Sequence, residues 1–306
     1  MSTVSCDRVL SNHQGSVTAV KYNSDGAYCI SGSQDKTLKL WNPNKGSMIH
    51  SFEEHGYGII DFCSSLDNKQ LFSCAEKQLY QWDIANGSVV RRFQNAHNDT
   101  ITCVCVNNDS SLLFTGSNDK LVKAWDLRSN SFNPVQILDD AKDSITSIIT
   151  NETTQTVDLS GHEVITSSVD GSIRQYDVRM GTLTTYDDTI PISSVSITKN
   201  KKCFIASCTD ETIKLIDIDT YDTLKEYKSH KNSTYKINSC SNYNDSLIIG
   251  GSEDNDFYIW ELSSAKLLHK LSGHTNVITH VNAHPTKNQF ITSSTDCTIR
   301  IWSTQE

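Results

Sequence analysis

Residues 31–41 read SGSQDKTLKLW, a short apolar strand, a tight turn that carries Asp35, and a second strand that ends in Trp41. The pattern returns six more times, as SCAEKQLYQW, TGSNDKLVKAW, TSSVDGSIRQY, ASCTDETIKLI, GGSEDNDFYIW and TSSTDCTIRIW. The acidic turn residues of these copies are Asp35, Glu76, Asp119, Asp170, Asp210, Asp254 and Asp296. Their spacing stays near roughly 40–45 residues, with one longer interval before Asp170. This period predicts seven copies of one supersecondary unit, each packed against its neighbours.

Each copy contains four strand-like segments, separated by turns rich in Gly, Asn, Asp and Ser. In the first copy these segments are VTAVKYN, YCISGS, TLKLW and SMIHSF. Radially arranged four-stranded sheets form a β-propeller, so the sequence predicts an all-β, seven-bladed propeller. The last copy ends just after Trp302, before a fourth strand. The segment CDRVLSNH aligns with SMIHSFEEH, and we therefore expect residues 8–10 to supply that strand and close the propeller in the last blade.

Composition restricts the function classes. The repeats fill all 306 residues, so we expect a single domain over residues 1–306, with residues 1–7 disordered. No stretch approaches the roughly 18 apolar residues of a membrane span, and the N-terminus lacks the basic and apolar regions of a signal peptide. The ten cysteines follow no disulfide framework, which is typical of a reducing compartment and predicts a cytoplasmic or nuclear location.

The net charge of −9 argues against direct nucleic-acid binding, because phosphates require clustered Lys and Arg. The one dense basic run, Lys225–Lys236, is interpreted as a solvated strand and loop. No Gly-rich phosphate loop, shielded acid–base pair or metal-spaced cluster is present in the sequence, and Cys103 and Cys105 share one strand face as core thiols. We therefore predict no catalytic residue, no metal and no cofactor. An enzyme with a site in the central channel would need inward acids or histidines, whereas the first strands offer mainly Val, Ile, Ser and Thr.

The acidic turn, the Trp six residues later and the His before the first strand resemble the WD-repeat (WD40) family along the whole chain. In that family a His, a Ser or Thr, the turn Asp and the Trp of each blade form a hydrogen-bonded tetrad. The resemblance implies tetrads in copies one, three and seven: His13, Ser31, Asp35 and Trp41; His97, Thr115, Asp119 and Trp125; His274, Thr292, Asp296 and Trp302. A buried Asp needs donors and a buried indole N–H needs an acceptor, so the recurrence favours a structural role over a catalytic triad.

The other copies depart from this pattern. Copy two has Glu76 in a turn shortened by one residue, and copy six has Gly250 at the hydroxyl position. Copy four has Ala141 in place of the His and Tyr176 in place of the Trp. Copy five has Asp187-Asp188, Ala206 and Ile216 in place of His, Ser and Trp. We expect blades four and five to be less rigidly tied.

Particular strings, most specifically VDGSIRQYDVRMG and EYKSHKN, resemble one member of the family, a non-catalytic scaffold. That member is implicated in assembling Raf–MEK–ERK kinase modules and in the catalytic spliceosome. The resemblance implies kinase-cascade components or spliceosome subunits as protein partners of a monomeric propeller.

The loops before each first strand and around each acidic turn emerge on one face of a propeller, which relatives commonly use for binding. Interfaces favour aromatic and charged side chains at such positions. The candidate protein-binding residues are Gln34, Tyr57, Asn98, Asp99, Asn118, Lys231, Tyr235 and Glu253.

A second signal is the pair of strings Trp125-Asp126-Leu127-Arg128 and Tyr176-Asp177-Val178-Arg179. They resemble the motif by which some WD-repeat proteins dock on the adaptor of cullin–RING ubiquitin ligases as substrate receptors. This gives an alternative function, with Arg128 and Arg179 as adaptor contacts on the opposite face. The competing interpretation is that each Arg only pairs with a neighbouring acid.

Overall fold

The computed structural model describes residues 3–151, 163–178 and 180–305. Over these residues it contains β-strands and no helix, and the strands form seven four-stranded sheets. No helix among them could therefore serve as a membrane span. The all-β class and the seven blades predicted from the repeats are confirmed.

The chain divides into two compact units, Met1–Ile60 with Ser196–Glu306 and Asp61–Val195. The prediction of a single domain over residues 1–306 stays a prediction. The first unit contains blades one, six and seven, and the second contains blades two, three and four. The first strand of blade five spans the boundary between them.

The strands of the first three blades and the strand that precedes them are β1 (Thr3–Ser11); β2 (Val17–Tyr22), β3 (Cys29–Ser33), β4 (Leu38–Asn42) and β5 (Ser47–Phe52); β6 (Asp61–Ser64), β7 (Gln70–Ala75), β8 (Gln78–Asp83) and β9 (Ser88–Phe93); β10 (Ile101–Val106), β11 (Leu112–Ser117), β12 (Val122–Asp126) and β13 (Gln136–Leu138). Those of blades four and five are β14 (Ile145–Asn151), β15 (Glu163–Ser168), β16 (Ser172–Asp177) and β17 (Thr182–Asp187); β18 (Ile192–Ile197), β19 (Cys203–Cys208), β20 (Ile213–Asp217) and β21 (Thr223–Tyr227). Those of the last two blades are β22 (Ser239–Ser241), β23 (Leu247–Gly250), β24 (Phe257–Glu261) and β25 (Leu267–Leu271); β26 (Ile278–Ala283), β27 (Gln289–Ser294) and β28 (Thr298–Gln305).

Six of the sheets follow chain order, whereas the last has the order β1-β28-β27-β26. Within a blade the second strand is the most buried and the fourth the most exposed, as in β3, where every residue is buried, and β5, where most are exposed. This gradient explains why the second strands are runs of small and apolar residues, while the fourth strands mix apolar with charged ones.

The N-terminal strand closes the last blade, as predicted. β1 runs antiparallel to β28, with Leu10 opposite Ile299 and Cys6 opposite Trp302. The strand is longer than the predicted residues 8–10. Residues 3–7, which were expected to be disordered, are part of β1, because β28 continues to Gln305 and offers them an edge to pair with.

The turn after each acidic residue requires a left-handed backbone. The residue that follows the turn Asp has a positive φ in six blades, for example 71° at Lys36 and 69° at Lys120. In blade four this residue is Gly171, where any side chain would collide with the backbone of Asp188. In blade two the shortened turn moves the left-handed position onto Glu76 itself, with a φ of 54°.

Each unit has its own apolar clusters between neighbouring sheets. In the first unit, Leu10 packs in one cluster with residues of blades one and seven, including Val17, Trp41 and Ile299. In the second unit, Cys103 lies in a cluster shared by blades three and four, where it acts as a small hydrophobe, as predicted.

Candidate functional site

In blade three, four side chains from two strands, the turn between them and the preceding loop form a continuous hydrogen-bonded chain. The Trp125 indole N–H donates to Thr115 Oγ1 over 2.9 Å. The same hydroxyl lies 2.8 Å from His97 Nε2, and His97 Nδ1 lies 3.0 Å from Asp119 Oδ2. Every group is satisfied when a neutral His97 carries its proton on Nδ1, donates it to Asp119 and accepts from Thr115 at Nε2.

Blades one and seven repeat this chain. The corresponding distances in blade one are 2.8 Å from Trp41 Nε1 to Ser31 Oγ, 2.7 Å from Ser31 Oγ to His13 Nε2 and 2.7 Å from His13 Nδ1 to Asp35 Oδ2. In blade seven they are 2.9 Å from Trp302 to Thr292, 2.8 Å from Thr292 to His274 and 2.9 Å from His274 to Asp296. The structure thus brings together all twelve residues of the three tetrads.

The tetrad aspartates also position the surface loops. Asp119 accepts hydrogen bonds from the backbone N–H of Asn98, in the loop before β10, and of Leu121, in its own turn. Asp296 does the same with Thr275 and Thr298. A buried carboxylate therefore fixes two adjacent loops of the blade to each other, so that the residues displayed on these loops have defined positions.

Burial and hydrogen bonding shift the tetrad pKa values. Burial lowers the pKa of the three tetrad histidines, and their hydrogen bonds to aspartate only partly oppose that effect. For Asp119, burial alone would raise the pKa, but hydrogen bonds, led by the one from His97, lower it to about 2. Hydrogen bonds likewise outweigh burial and lower the pKa of Asp35 and Asp296. At neutral pH each tetrad consists of a neutral imidazole and a charged carboxylate.

We expect acid to destabilise the fold in two stages. Unfolded histidines take up protons below their ordinary pKa of 6.5 while the buried ones resist, so the free energy of unfolding falls as the pH drops below that value. Unfolded aspartates are protonated below 3.8 while Asp119 stays charged down to about 2, which gives a second loss. Urea unfolding at a series of pH values measures both stages. A free energy of unfolding that is constant between about pH 7 and about pH 5 would contradict the first stage.

Blade four ties its turn aspartate in a different way. Ala141 cannot donate, and Asp170 instead receives the Arg174 guanidinium, with 2.8 Å between Nη2 and Oδ2. The two side chains are 4% and 9% exposed, so this is a buried ion pair. Against the effect of burial, the hydrogen bond from Arg174 lowers the pKa of Asp170 to about 2. Blade four is therefore tied by an ion pair in place of the tetrad, which differs from the expectation of a loosely tied blade.

Blade five fits the expectation better. Asp210 accepts from the backbone N–H and the hydroxyl of Thr212, both within its own turn. Neither contact reaches the loop before β18, so the carboxylate does not hold two segments together through these bonds.

Blade six has exchanged its partners. With Gly250 at the hydroxyl position, the Trp260 indole N–H donates to the backbone oxygen of Lys228 over 3.0 Å. Asp254 accepts from the Tyr258 hydroxyl over 2.6 Å and from Lys270 over 3.0 Å. His230 occupies the position of the tetrad histidine in this blade; it is 2% exposed, and neither of its ring nitrogens has a hydrogen-bond partner among the described residues.

The predicted binding residues of the first unit differ in availability. Tyr57 and Tyr235 expose 47% and 46% of their surface, and Lys231 is exposed. Gln34 is exposed beside Gly58, where any side chain would collide with the Gln34 amide. Tyr57 precedes Gly58 in sequence, so it lies on a loop that packs tightly against Gln34 in the turn of blade one.

Glu253 has an internal role that the sequence did not reveal. One oxygen of its carboxylate accepts from three successive backbone N–H groups, of Ser233, Thr234 and Tyr235, at 2.9, 2.6 and 2.9 Å. Burial alone would raise its pKa, but these bonds lower it. The carboxylate is thus engaged with its own protein and shapes the loop that displays Lys231 and Tyr235.

Replacing Glu253 with alanine is expected to release that loop without unfolding the protein. The amides of Ser233, Thr234 and Tyr235 lose their acceptor and should exchange with deuterium faster, while the melting temperature changes little. Asn118→Ala is the matched control, because Asn118 occupies the same position before the turn Asp of blade three and is exposed. Unchanged exchange at the three amides would refute this role of Glu253.

In the second unit, Asn98, Asp99 and Asn118 are exposed. The Asn98 backbone oxygen accepts from Lys77 Nζ over 2.7 Å, and the Asp99 carboxylate accepts from the next N–H, of Thr100. The Asn98 backbone is also tied to the Asp119 tetrad through the N–H bond already described. These residues are displayed by a fixed loop, which suits them to recognition.

Of the two predicted adaptor contacts, only Arg128 lies within the described residues; Arg179 lies outside them. Arg128 follows β12, and its side chain is 74% exposed. Arg128 Nε lies 3.6 Å from Asp126 Oδ1, a solvent-exposed pair of small energetic weight. Arg128 is therefore accessible to a partner, although its neighbouring acid is also within reach.

No group of three His, Cys, Asp or Glu side chains in the described part of the chain is arranged to hold a metal ion. The His–Asp–Ser/Thr constellations that do occur also bind a buried indole, and their hydroxyl groups are enclosed. Ser31, Thr115 and Thr292 have no exposed surface, so they cannot reach a substrate. The chemistry of these sites is structural.

Sequence reasoning missed Arg174 and Tyr258. Both stand four residues after a turn aspartate and donate to it, in blades that lack a complete His and Ser/Thr pair. A sequence signal for this role was present: blades one and three also carry a long polar side chain, Lys39 and Lys123, four residues after the turn aspartate.

Comparison with known proteins identifies the same repeats. Residues 58–265 match the family model described as Nucleolar protein 10-like, N-terminal domain, and residues 4–42 and 265–303 match the WD domain, G-beta repeat. The chain is 74% identical to the WD repeat domain-containing protein 83 homolog of Dictyostelium discoideum, with both chains covered completely. It is 37% identical to WD repeat domain-containing protein 83 of Homo sapiens, over 92% of this chain and 86% of the human protein. The protein of that name in Rattus norvegicus is also 37% identical, over 89% and 84% of the two chains.

Proposed function

The chain belongs to the WD-repeat family of β-propellers, whose members serve as protein-interaction scaffolds, and on this premise we propose that it assembles other proteins without catalysing a reaction. Its sequence strings resemble the mitogen-activated protein kinase organizer 1, which is also called WD repeat domain-containing protein 83, and this is the name that its relatives carry. The partners proposed from this resemblance are components of a Raf–MEK–ERK kinase module or subunits of the spliceosome. The propeller acts as a monomer, in the cytoplasm, the nucleus or both.

The observation that carries this proposal is the exposure of large aromatic rings on loops that are held from within. Tyr57 and Tyr235 are close to half exposed, while Glu253 fixes the loop of Tyr235 through three backbone bonds. A tyrosine offers a large contact area at a small cost in conformational entropy, and a fixed loop lowers that cost further. Such rings are suited to act as interface hot spots.

The second candidate function is a substrate receptor of a cullin–RING ubiquitin ligase. One observation favours it, the accessibility of Arg128 at the end of β12, on the sheet edge opposite the acidic turn. In this account Arg128 and Arg179 contact the ligase adaptor, and the loop face is left for the substrate.

Affinity purification of the tagged protein, followed by mass spectrometry, separates these candidates. Kinase-cascade proteins or spliceosome subunits are expected from the scaffold proposal, and a cullin adaptor from the second. Two double variants assign the face: Tyr57→Ala with Tyr235→Ala should remove the main partners, whereas Arg128→Ala with Arg179→Ala should leave them bound. Recovery of a cullin adaptor that is lost only with the arginine variant would replace the scaffold proposal with the second.

A further inference from the structure

An open cleft of about 380 Å³ lies in the first unit, between the turn of blade five and the loop that leads into blade six. One wall is Asp210–Thr212 and the other is Lys228–Lys231. The volume is within the range of sites that take one side chain or a small ligand. Neither a tetrad nor any predicted binding residue except Lys231 is part of this cleft.

The inner wall contains a buried histidine whose hydrogen-bonding capacity is unused. His230 lines the cleft and is 2% exposed, and neither ring nitrogen has a partner among the described residues. The corresponding histidines of blades one and three, His13 and His97, form hydrogen bonds at both ring nitrogens. A buried polar group left unpaired costs about 1–3 kcal/mol, so its retention calls for an explanation.

The cause is local and visible. Gly250 has no hydroxyl to face one ring nitrogen of His230. The carboxylate of Asp254 would face the other nitrogen, but it accepts from Tyr258 and Lys270. His230 contacts Trp260 edge-on, with the ring centroids 5.4 Å apart, and this contact holds the imidazole at the base of the cleft.

The cleft lining has a strained residue directly before the histidine. Ser229, directly before His230, has a φ of 102°, a region that L-residues rarely adopt. Strain of this kind concentrates at ligand clamps and costs about 1–3 kcal/mol. Because His230 is only 2% exposed, a ligand reaches its ring nitrogens when this loop moves.

The blade-five wall of the cleft carries two carboxylates, and the opposite wall carries two lysines. Asp210 accepts from Thr212 at its Oδ1, and Glu211 stands beside it on the same wall. On the opposite wall, Lys228 Nζ forms a solvent-exposed ion pair with Glu226 over 2.7 Å. Lys231, Asp210 and Glu211 are all exposed, so solvent screens the three charges alike. The whole chain carries −9, which attracts basic partners over longer distances.

We propose that this cleft accepts a basic side chain, arginine or lysine, from a partner polypeptide. The cationic N–H groups donate to Asp210 and Glu211 on the blade-five turn and to the unprotonated nitrogen of His230 at the base. Charge-assisted bonds to the two carboxylates supply most of the affinity, and His230 supplies direction. This inference rests on the proposed function, because it names the chemistry of one contact of a protein partner.

The direct test is titration of the purified full chain with the amides of N-acetyl-arginine, N-acetyl-lysine, N-acetyl-glutamine and N-acetyl-glutamate. The ¹⁵N and ¹H resonances of the His230 ring are followed by NMR. The arginine or the lysine probe is expected to shift them in a saturable way, and the comparison of the two tells which cation fits. An equal or larger response to the glutamate or glutamine probe would overturn the proposal, and so would no response to any probe up to its solubility.

Variants test the carboxylate wall. Asp210→Asn with Glu211→Gln should weaken the basic probe by about tenfold or more. Glu53→Gln with Glu54→Gln is the matched control, because it removes the same charge from exposed positions in the same unit. Glu211→Gln alone leaves the Thr212 bonds of Asp210 in place and serves if the double variant does not fold. Equal weakening by the control pair would show a general charge effect and overturn the site.

Binding of the partner recovered by affinity purification, measured with both double variants, distinguishes this inference from the proposed scaffold function. Binding lost with Tyr57→Ala and Tyr235→Ala but unchanged with Asp210→Asn and Glu211→Gln would remove the cleft and leave the scaffold function standing. Partner binding that is unchanged by both double variants would contradict both the cleft site and the proposed binding surface.

Discussion

Replacing Leu10 with alanine is expected to destabilise the protein by about 2–5 kcal/mol, the usual range for a fully buried leucine. Leu10 is 2% exposed and lies in the apolar cluster shared by blades one and seven. It is also the residue through which β1, which pairs with β28, contributes most to the core. Urea unfolding followed by tryptophan fluorescence measures the loss.

Val9→Ala is the control, because Val9 lies in the same strand but is 48% exposed, and its replacement should change the free energy of unfolding by about 0.5 kcal/mol or less. Deleting residues 1–11 removes the whole strand and leaves β28 as an unpaired edge, so this variant should aggregate. A soluble deletion variant with the wild-type melting temperature would contradict closure by β1.

Arg174→Met is expected to cost about 3–5 kcal/mol, because it leaves the Asp170 carboxylate charged, buried and without its cation. The effect should exceed the loss of any exposed ion pair, since both side chains are shielded from water. Removing both charges, as Arg174→Met with Asp170→Asn, should restore a large part of the lost stability, because no unpaired charge then remains.

Lys39→Met is the matched control. Lys39 stands at the same position of blade one, four residues after Asp35, but there His13 serves the aspartate. We expect this variant to lose about 1 kcal/mol or less. Similar losses for the lysine and the arginine variants would show that the ion pair does not replace the tetrad.

The tetrads could be predicted because each depends on residues at fixed offsets within one repeat. His97, Thr115, Asp119 and Trp125 are identified by spacing alone, and burial leaves them few partners other than each other. Closure by the N-terminal strand was predictable for a similar reason, because the last repeat is one strand short and an unassigned strand exists at the other end of the chain.

Blades four and six could not be predicted in the same way. When Ala141 or Gly250 removes one member of a tetrad, the remaining groups find new partners by geometry, and several side chains are within reach. In blade four the turn aspartate pairs with Arg174, and in blade six it accepts hydrogen bonds from Tyr258 and Lys270. Glu253 was interpreted as a partner contact because the sequence shows its position in the turn but not the three backbone N–H groups that converge on it.

The most direct test of the central claim, that the loop face is the binding surface of a scaffold, is the dissociation constant of the main purified partner for two double variants. Tyr57→Ala with Tyr235→Ala should raise it by about thirtyfold or more, which corresponds to the 2 kcal/mol of one interface hot spot. The melting temperature should stay unchanged, because both rings are close to half exposed. Arg128→Ala with Arg179→Ala should leave the dissociation constant as it is. A constant that changes only with the arginine variant would contradict the account and assign binding to the opposite face.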